Sequence, residues 1–412
     1  MNNLPRDWDL VSLNELQADE PRAITDGPFG SHLTSAHYTE QGPRVVRLQN
    51  IGDGRFVDAR AHISRQHFES LRAHEVVAGD LLVASLGHDP PRACLAPSAL
   101  GPAIVKADCI RVRLKASVDP RWVMYALQTP AVRRWASNKM YGVGRPRLGL
   151  KTIRAIPVPL PPLGEQRRIV QILEDHLSRL DAASANVSSS LIRAQGWRRS
   201  ATDRVVWSEG AEGLLAVADV LAEKMRNGHS ARASTTGAGI RALTLTSVTR
   251  NSFTDAFTKI VTVDEERVRD LWLREGDILV QRSNTPELVG TTAIYRGPDD
   301  WAIFPDLLIR LRANVKRVSP DFLAAVMRTE RAHRRLRSQA KGLAGSMPKI
   351  DQAAIGSLLV PVPSVAVQAD VVSQVSDIED GYNRLISEAQ AAVRRVESLR
   401  RALLAAAFSG QL

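Results

Sequence analysis

The chain predicts an α+β fold built from two pseudo-repeated globular blocks and two long coiled-coil helices. Three observations carry that expectation. A heptad pattern occurs twice, half a chain apart; short motifs recur in the same order in both halves; and a proline-rich lead precedes each heptad run. Two matched copies of one module account for all three.

The first lead is Pro157-Val158-Pro159-Leu160-Pro161-Pro162, followed by Gly164-Glu165-Gln166. From Ile169 the pattern runs through Leu173, His176, Leu180, Ala183, Val187, Ser190, Ala194 and Trp197, alternating steps of four and three, which is the seam of a coiled coil. The second lead, Pro361-Val362-Pro363 with Gln368, precedes Val371, Val375, Ile378, Tyr382, Leu385, Ala389, Ala392, Val396, Leu399, Leu403 and Ala406 in the same alternation. The expected organisation is a first block over 1–156, a central helix region over 157–207, a second block over 208–363 and a distal helix over 364–412.

In the first block, Leu4-Pro5-Arg6-Asp7-Trp8 leads into a short apolar stretch, and Thr25-Asp26-Gly27-Pro28-Phe29-Gly30-Ser31 is rich in turn formers. Arg44–Ile51 reads as a strand closed by Gly52-Asp53-Gly54. Gly79-Asp80 turns into the buried strand Leu81-Leu82-Val83, and Ile110–Leu114 alternates as a strand does. Asp119-Pro120 starts a helix with Trp122, Val123, Tyr125 and Leu127 on its apolar face. The basic, glycine-rich run Lys139–Arg147 follows. The second block repeats these anchors. Gly276-Asp277-Ile278-Leu279-Val280, Ile309-Arg310-Leu311-Arg312, Ser319-Pro320, Arg334-Arg335 and the basic run Lys341–Lys349 occur in the same order, and Trp207-Ser208-Glu209-Gly210 mirrors Phe408-Ser409-Gly410-Gln411. Scaffold positions match while the intervening loops differ, the pattern expected if each half reads something different.

Composition narrows the function. At 412 residues with 44% hydrophobic content the chain can bury real cores in two domains. Lys plus Arg number 55 against 44 Asp plus Glu, a net charge of +11, which favours a polyanionic partner such as nucleic acid. Cys94 and Cys109 form no CxxC pair, so no disulfide framework or zinc site is indicated. No apolar run approaches the ~20 residues of a bilayer span and no signal peptide opens the chain, so a cytoplasmic protein is expected.

Catalytic motifs are missing. Asp89-Pro90-Pro91-Arg92 approaches the Asp-Pro-Pro-aromatic motif of amino-methyltransferases, but Arg92 stands where a ring would stack on a flipped base. Gly142-Val143-Gly144 lacks the third glycine of a dinucleotide fingerprint, and there is no phosphate loop for ATP. The histidines, His62, His67 and His74 among them, show no ligand spacing, so no metal is expected. Binding chemistry remains. Arg47, Gln49 and Asn50 at the end of the expected strand, Ser85 and His88 after Val83, and Arg282, Ser283 and Asn284 after Val280 carry side chains suited to base edges. Lys139, Tyr141, Arg145, Arg147, Lys341, Ser346 and Lys349 in the glycine-rich runs suit the DNA backbone, where contacts position the protein without reading sequence.

With these features assembled, the chain resembles the specificity subunit of prokaryotic type I restriction–modification systems along nearly its whole length. The resemblance rests on the Leu-Pro-x-x-Trp opening, the Thr25–Ser31 turn, the Gly-Asp-Leu/Ile-Leu-Val strands, Pro159-Leu160-Pro161-Pro162-Leu163-x-Glu165-Gln166, and the closing Ala407-Phe408-Ser409-Gly410-Gln411-Leu412. The second lead departs: Ser364-Val365-Ala366-Val367-Gln368 keeps the glutamine without the Pro-Pro or the glutamate. The resemblance implies two target-recognition domains, an antiparallel helix pair with Ile169, Leu173, Leu180, Val187, Val375, Ile378, Leu385, Val396 and Leu399 in its seam, and a split DNA target with an unspecified gap. A helix over 167–200 would span ~51 Å. The resemblance also implies two methyltransferase subunits carrying S-adenosylmethionine and adenine-N6 chemistry, and restriction subunits using ATP and magnesium where present. This chain itself would hold no cofactor and catalyse nothing. Two other classes stay open on the residues alone: a methyltransferase with fused recognition domains, disfavoured by the missing cofactor motif, and a coiled-coil protein scaffold, disfavoured by the charge.

Overall fold

The computed structural model describes residues 4–87, 90–208, 213–235, 237–342 and 347–412. Two compact units emerge, Met1–Val187 with Ala391–Leu412, and Ser188–Gln390. Each therefore owns one half of each long helix.

The two units share the topology of one sheet strand for strand. In the first, a four-stranded antiparallel sheet runs in the order Ile24–Thr25, Cys109–Val112, Leu81–Ala84, Arg92–Leu95. In the second, Arg226–Asn227, Leu308–Leu311, Ile278–Gln281 and Thr292–Ile294 follow the same order. Each unit also pairs an early strand with the proline lead, Asp9–Ser12 with Pro157–Leu160 and Leu214–Ala216 with Leu359–Pro361. The edge-strand glycines match as well. A Cβ on Gly27 would lie 2.1 Å from the Lys106 carbonyl carbon, and one on Gly228 would lie 2.2 Å from the Phe304 oxygen, so only glycine lets these backbones meet. The second sheets differ: four strands around Tyr38–Val46 in the first unit, three around Thr258–Thr262 in the second.

The Gly-Asp and Arg-x-Arg anchors are one device. Arg113 Nε donates to Asp80 (3.0 Å) and Arg312 Nε to Asp277 (2.7 Å), while Arg111 and Arg310 donate to the carbonyls of Glu75 and Trp272. Burial opposes the charge on Arg113, but the hydrogen bond and charge of Asp80 outweigh it and hold the guanidinium above its ordinary range. These four arginines brace the sheet.

A short helix pair follows each sheet, Pro120–Gln128 with Pro130–Ser137 and Pro320–Arg328 with Glu330–Ser338. Asp119, Thr129, Ser319 and Thr329 are the N-caps of these helices, and proline opens the first turn of all but Glu330–Ser338. The lead glutamines then tie each pair to its long helix. Gln166 Oε1 accepts from the Asp119 N–H (2.9 Å) and its Nε2 donates to the Pro161 carbonyl (2.8 Å); Gln368 does the same with Ser319 (2.8 Å) and Pro363 (2.8 Å). Both glutamines are buried.

The long helices run Leu163–Ser208 and Val365–Ala407. The first has 46 residues, or ~69 Å at ~1.5 Å per residue, longer than the expected 167–200. They are antiparallel within each unit, since Asp181 pairs with Arg400 in the first (2.8 Å) and Arg198 with Glu379 in the second (2.6 Å). Of the expected seam, Ile169 and Leu173 are buried, Leu180, Val187, Val375, Ile378 and Val396 are half-buried, and Leu385 and Leu399 remain 41% and 49% exposed. The other half of the heptad is shifted by one residue on both helices. Leu177, Ser184, Leu191 and Arg198 turn inward rather than His176, Ala183, Ser190 and Trp197, and Trp197 is 58% exposed. Glu379, Ile386, Val393 and Arg400 are likewise the partly covered set beside Leu385 and Leu399. Three of the inward positions are charged side chains whose heads pair across the helices, a role a search for apolar residues misses.

We expect Gln166→Leu to strand the buried Asp119 N–H and Pro161 carbonyl and to destabilise the first unit by about 2–4 kcal/mol, measured by chemical denaturation.

Candidate nucleic-acid interface

The glycine-rich basic runs close as hairpins in both units. Tyr141 and Arg147 exchange backbone hydrogen bonds (3.1 and 2.9 Å), as do Lys341 and Lys349 (2.8 and 2.9 Å). Each hairpin then docks on the end of the central sheet strand: the Leu148 N–H donates to the Ser85 carbonyl, and the Ile350 N–H donates to the Arg282 carbonyl, each at 2.9 Å. Residues far apart in sequence thus form one surface in each unit. The geometry needs the glycines, because Gly142 and Gly144 hold φ of +106° and +77°. Between them Val143 stands wholly exposed at the hairpin tip.

The side chains divide into committed and available ones. Asn50, expected on a strand, lies instead in the 3-10 turn Leu48–Asn50 after the strand Tyr38–Val46. It is 0% exposed; its Oδ1 accepts from the Arg47 N–H (2.8 Å) and its Nδ2 donates to the carbonyls of Val57 and Ala59 (both 2.8 Å). Arg47 donates to the Arg60 carbonyl (3.2 Å). Ser85 is buried and donates to the Asp108 carbonyl (3.1 Å), Ser283 is buried, and Asn284 donates to Gln281 (2.6 Å) while capping the Thr285 N–H (2.8 Å). These groups shape the surface from beneath. Gln49, Lys139, Tyr141, Arg145, Arg147, Lys341 and Lys349 are exposed, and Arg282 is half-exposed. Lys139 sits over the Trp135 ring (5.0 Å), Arg147 pairs loosely with Asp108 (3.5 Å) and Lys341 with Asp351 (3.9 Å). His88 and Ser346 lie outside the described residues, as does Asp89. Arg92 was not among the expected contacts. It opens the strand Arg92–Leu95, donates to the Leu48 carbonyl (3.4 Å) and passes 3.5 Å from a Cβ built on Gly87, linking the Gln49 turn to the strand end.

Asp26 adds a titrating group beneath the first hairpin. Burial, then the nearby Asp108, pushes its carboxyl up to about 6 against the Gly27 N–H and Arg147, which favour the charged form. Among the described residues no cluster of three potential metal ligands occurs, and no helix is long and apolar enough to cross a membrane.

This architecture is that of solved type I restriction–modification chains. A chain from a structure described for complex assembly and conformational transition of the type I R-M system matches over 100% of both chains, with a TM-score of 0.75 at 17% identity. The HsdS subunit from Thermoanaerobacter tengcongensis matches over 99% of this chain and 98% of that one, with a TM-score of 0.54 at 17% identity. Residues 98–187 match the family described as type I restriction modification DNA specificity domain, a span covering the short helix pair, the first hairpin and the start of the central helix. Among curated relatives, the type I restriction enzyme StySPI specificity subunit of Salmonella potsdam is 24% identical over 74% of this chain and 68% of its own. The EcoKI specificity subunit of Escherichia coli (strain K12) is 25% identical over 62% of this chain and 58% of its own. The resemblance is thus to type I specificity subunits, in sequence and in fold.

Two outcomes are expected. Asn50→Ala should cost about 1–3 kcal/mol in chemical denaturation, because three backbone groups lose the partner that the buried amide supplies, while exposed Gln49→Ala should leave stability within ~0.5 kcal/mol. Asp26 has its folded pKa raised from 3.8 to about 6, so its contribution is fully present below about 3.8 and is lost as pH rises through about 6. Asp26→Asn should therefore be more stable than the natural chain at about pH 7.5, by on the order of 1–2 kcal/mol once partial exposure is allowed for, and the difference should vanish near pH 4.

Proposed function

We propose that this chain is the DNA-recognition subunit of a type I restriction–modification assembly. Each unit reads one part of a bipartite target, with an unspecified gap between the parts. The observation that carries this reading is the duplicated hairpin docked on a strand end, which offers an exposed basic surface in each unit on one shared scaffold. Duplication with divergent loops suits two readers of different sequence, and Arg145, Arg282 and Lys349 have no ion pair among the described residues, leaving them available to phosphate or base edges. The excess of 55 basic over 44 acidic residues supports a polyanionic ligand.

In this reading the chain performs no catalysis. The methyl transfer from S-adenosylmethionine to adenine N6 belongs to two partner methyltransferase subunits, and ATP-driven steps belong to restriction subunits where they are present. The chain acts in the cytoplasm of a prokaryotic cell.

The test is the methylated motif in cells carrying variants, mapped genome-wide. Gln49→Ala with Arg145→Ala should relax one half-site by about 1–3 kcal/mol per lost base contact, and Arg282→Ala should relax the other alone. Lys341→Ala with Lys349→Ala should weaken binding of all sequences and flatten the salt dependence of the purified complex. Variants in one unit that relax both half-sites together would replace two readers with one shared interface.

A further inference from the structure

The second unit contains a cavity at positions whose counterparts in the first unit are large apolar side chains. It measures about 470 Å³, within the range of small-molecule sites, and lies among the central helix, the distal helix and the Pro320–Arg328 helix. The two proline-started helices have equal length, so Ala324 and Ala325 answer Met124 and Tyr125, and Arg328 answers Gln128. Counting from the clamp glutamines, Val375 and Glu379 answer Leu173 and Leu177. Counting from the terminal aromatics Trp207 and Phe408, Thr202 answers Leu403 and Asp203 answers Leu404. In the first unit Met124, Tyr125, Leu173, Leu177 and Leu404 are all buried in one apolar core. In the second, the same places carry two alanines, a valine and the carboxylates Glu379 and Asp203, with Thr202 where the first has the partly buried Leu403.

The lining leaves cationic and hydroxyl groups over. Its carboxylates are engaged: Glu379 with Arg198 (2.6 Å), Asp321 with Arg296, Asp203 with the Glu330 N–H (2.9 Å), and Glu330 with Arg334 (3.8 Å). Arg199 and Arg328 are exposed at the rim of the cavity and form no ion pair among the described residues. Thr202 is 9% exposed and its buried Oγ1 has no hydrogen-bond partner, nor has Arg198 Nε. Arg328 keeps solvent access, but the atoms crowded round its guanidinium lower its pKa by desolvation; Glu379 offsets part of this and Arg198 adds repulsion. His333, whose Nε2 meets the Val289 carbonyl, is held toward its neutral form, chiefly by burial, and supplies no anion-neutralising charge. Unpartnered guanidiniums beside an orphan hydroxyl make a cradle for a tetrahedral oxyanion, since Arg presents paired donors to phosphate.

We propose that this cavity binds the phosphate group of a nucleotide-sized small molecule, with Arg328 and Arg199 as the charged contacts and Thr202 as the neutral donor. The site lies on the flank of the Pro320–Arg328 helix, on residues distinct from the proposed DNA-contacting ones.

The test uses the full chain, thermal unfolding and isothermal titration, with inorganic phosphate, adenosine 5′-monophosphate and unphosphorylated adenosine as probes. A saturable response to phosphate and the monophosphate at roughly 1 mM or tighter, with none to adenosine, is expected. Arg328→Gln should weaken it roughly tenfold or more. Thr202→Val should weaken it by a smaller factor, and Ala325→Tyr, which installs the first unit's side chain, should abolish it while raising the unliganded Tm. Each variant's unliganded Tm establishes that it is folded. No saturable phosphate response by the folded natural chain would overturn the proposal. So would undiminished binding by folded Arg328→Gln and Ala325→Tyr. A response to phosphate matched by adenosine would overturn the phosphate assignment. Loss of duplex DNA binding in Arg328→Gln with free-phosphate binding intact would reassign Arg328 to the DNA backbone and overturn it too.

Discussion

The glutamine clamp at the root of each long helix is the contact on which the rest of the architecture hangs. Gln166 and Gln368 each accept the N–H that opens a short helix and donate to a carbonyl of their own proline lead. One side chain therefore joins three segments: the lead strand, the start of the long helix and the start of the unit's helix pair. Because both glutamines are buried, neither bond can be traded for water. Aromatic packing completes the joint in the first unit. Trp122 donates from its indole to the Pro159 carbonyl (2.8 Å) and lies 4.2 Å from Phe408 and 5.4 Å from Trp8. In the second unit Trp207 donates to Thr329 (3.2 Å) and carries Arg331 over its ring at 4.1 Å. The apolar joint of one unit is a polar one in the other.

Charge in this protein serves two purposes, and position separates them. Arg111, Arg113, Arg310 and Arg312 are spent on carbonyls and carboxylates inside the sheets, where their removal would leave buried acceptors unpaired. Arg198 and Arg400 hold the long helices to one another through Glu379 and Asp181. The exposed hairpin residues remain for a ligand.

The two units share a scaffold and differ in what they leave open. Strand order, edge glycine, Asp–Arg brace, helix pair and clamp are duplicated, whereas the second sheet, the helix flank and the hairpin residues diverge. Holding the backbone constant through buried polar contacts frees the remaining positions to vary without loss of fold.

The sequence by itself determined the duplication, the α+β class, the two long helices and the resemblance to type I specificity subunits. Those features are written in local patterns: heptads, proline leads, Gly-Asp turns and repeated order. Only the tertiary structure decided which polar side chains are free. Asn50 and Gln49 are neighbours in sequence, yet one is buried on three backbone partners and the other faces solvent, because a 3-10 turn replaced the expected strand. The helix seam shows the same limit. Its heptad period was legible, but half of its register moved by one residue, since paired arginine and glutamate side chains take inward positions that an apolar pattern assigns to their neighbours. Periodicity is a property of the chain, while the partner of a charged or hydrogen-bonding group is set by residues brought from far along it.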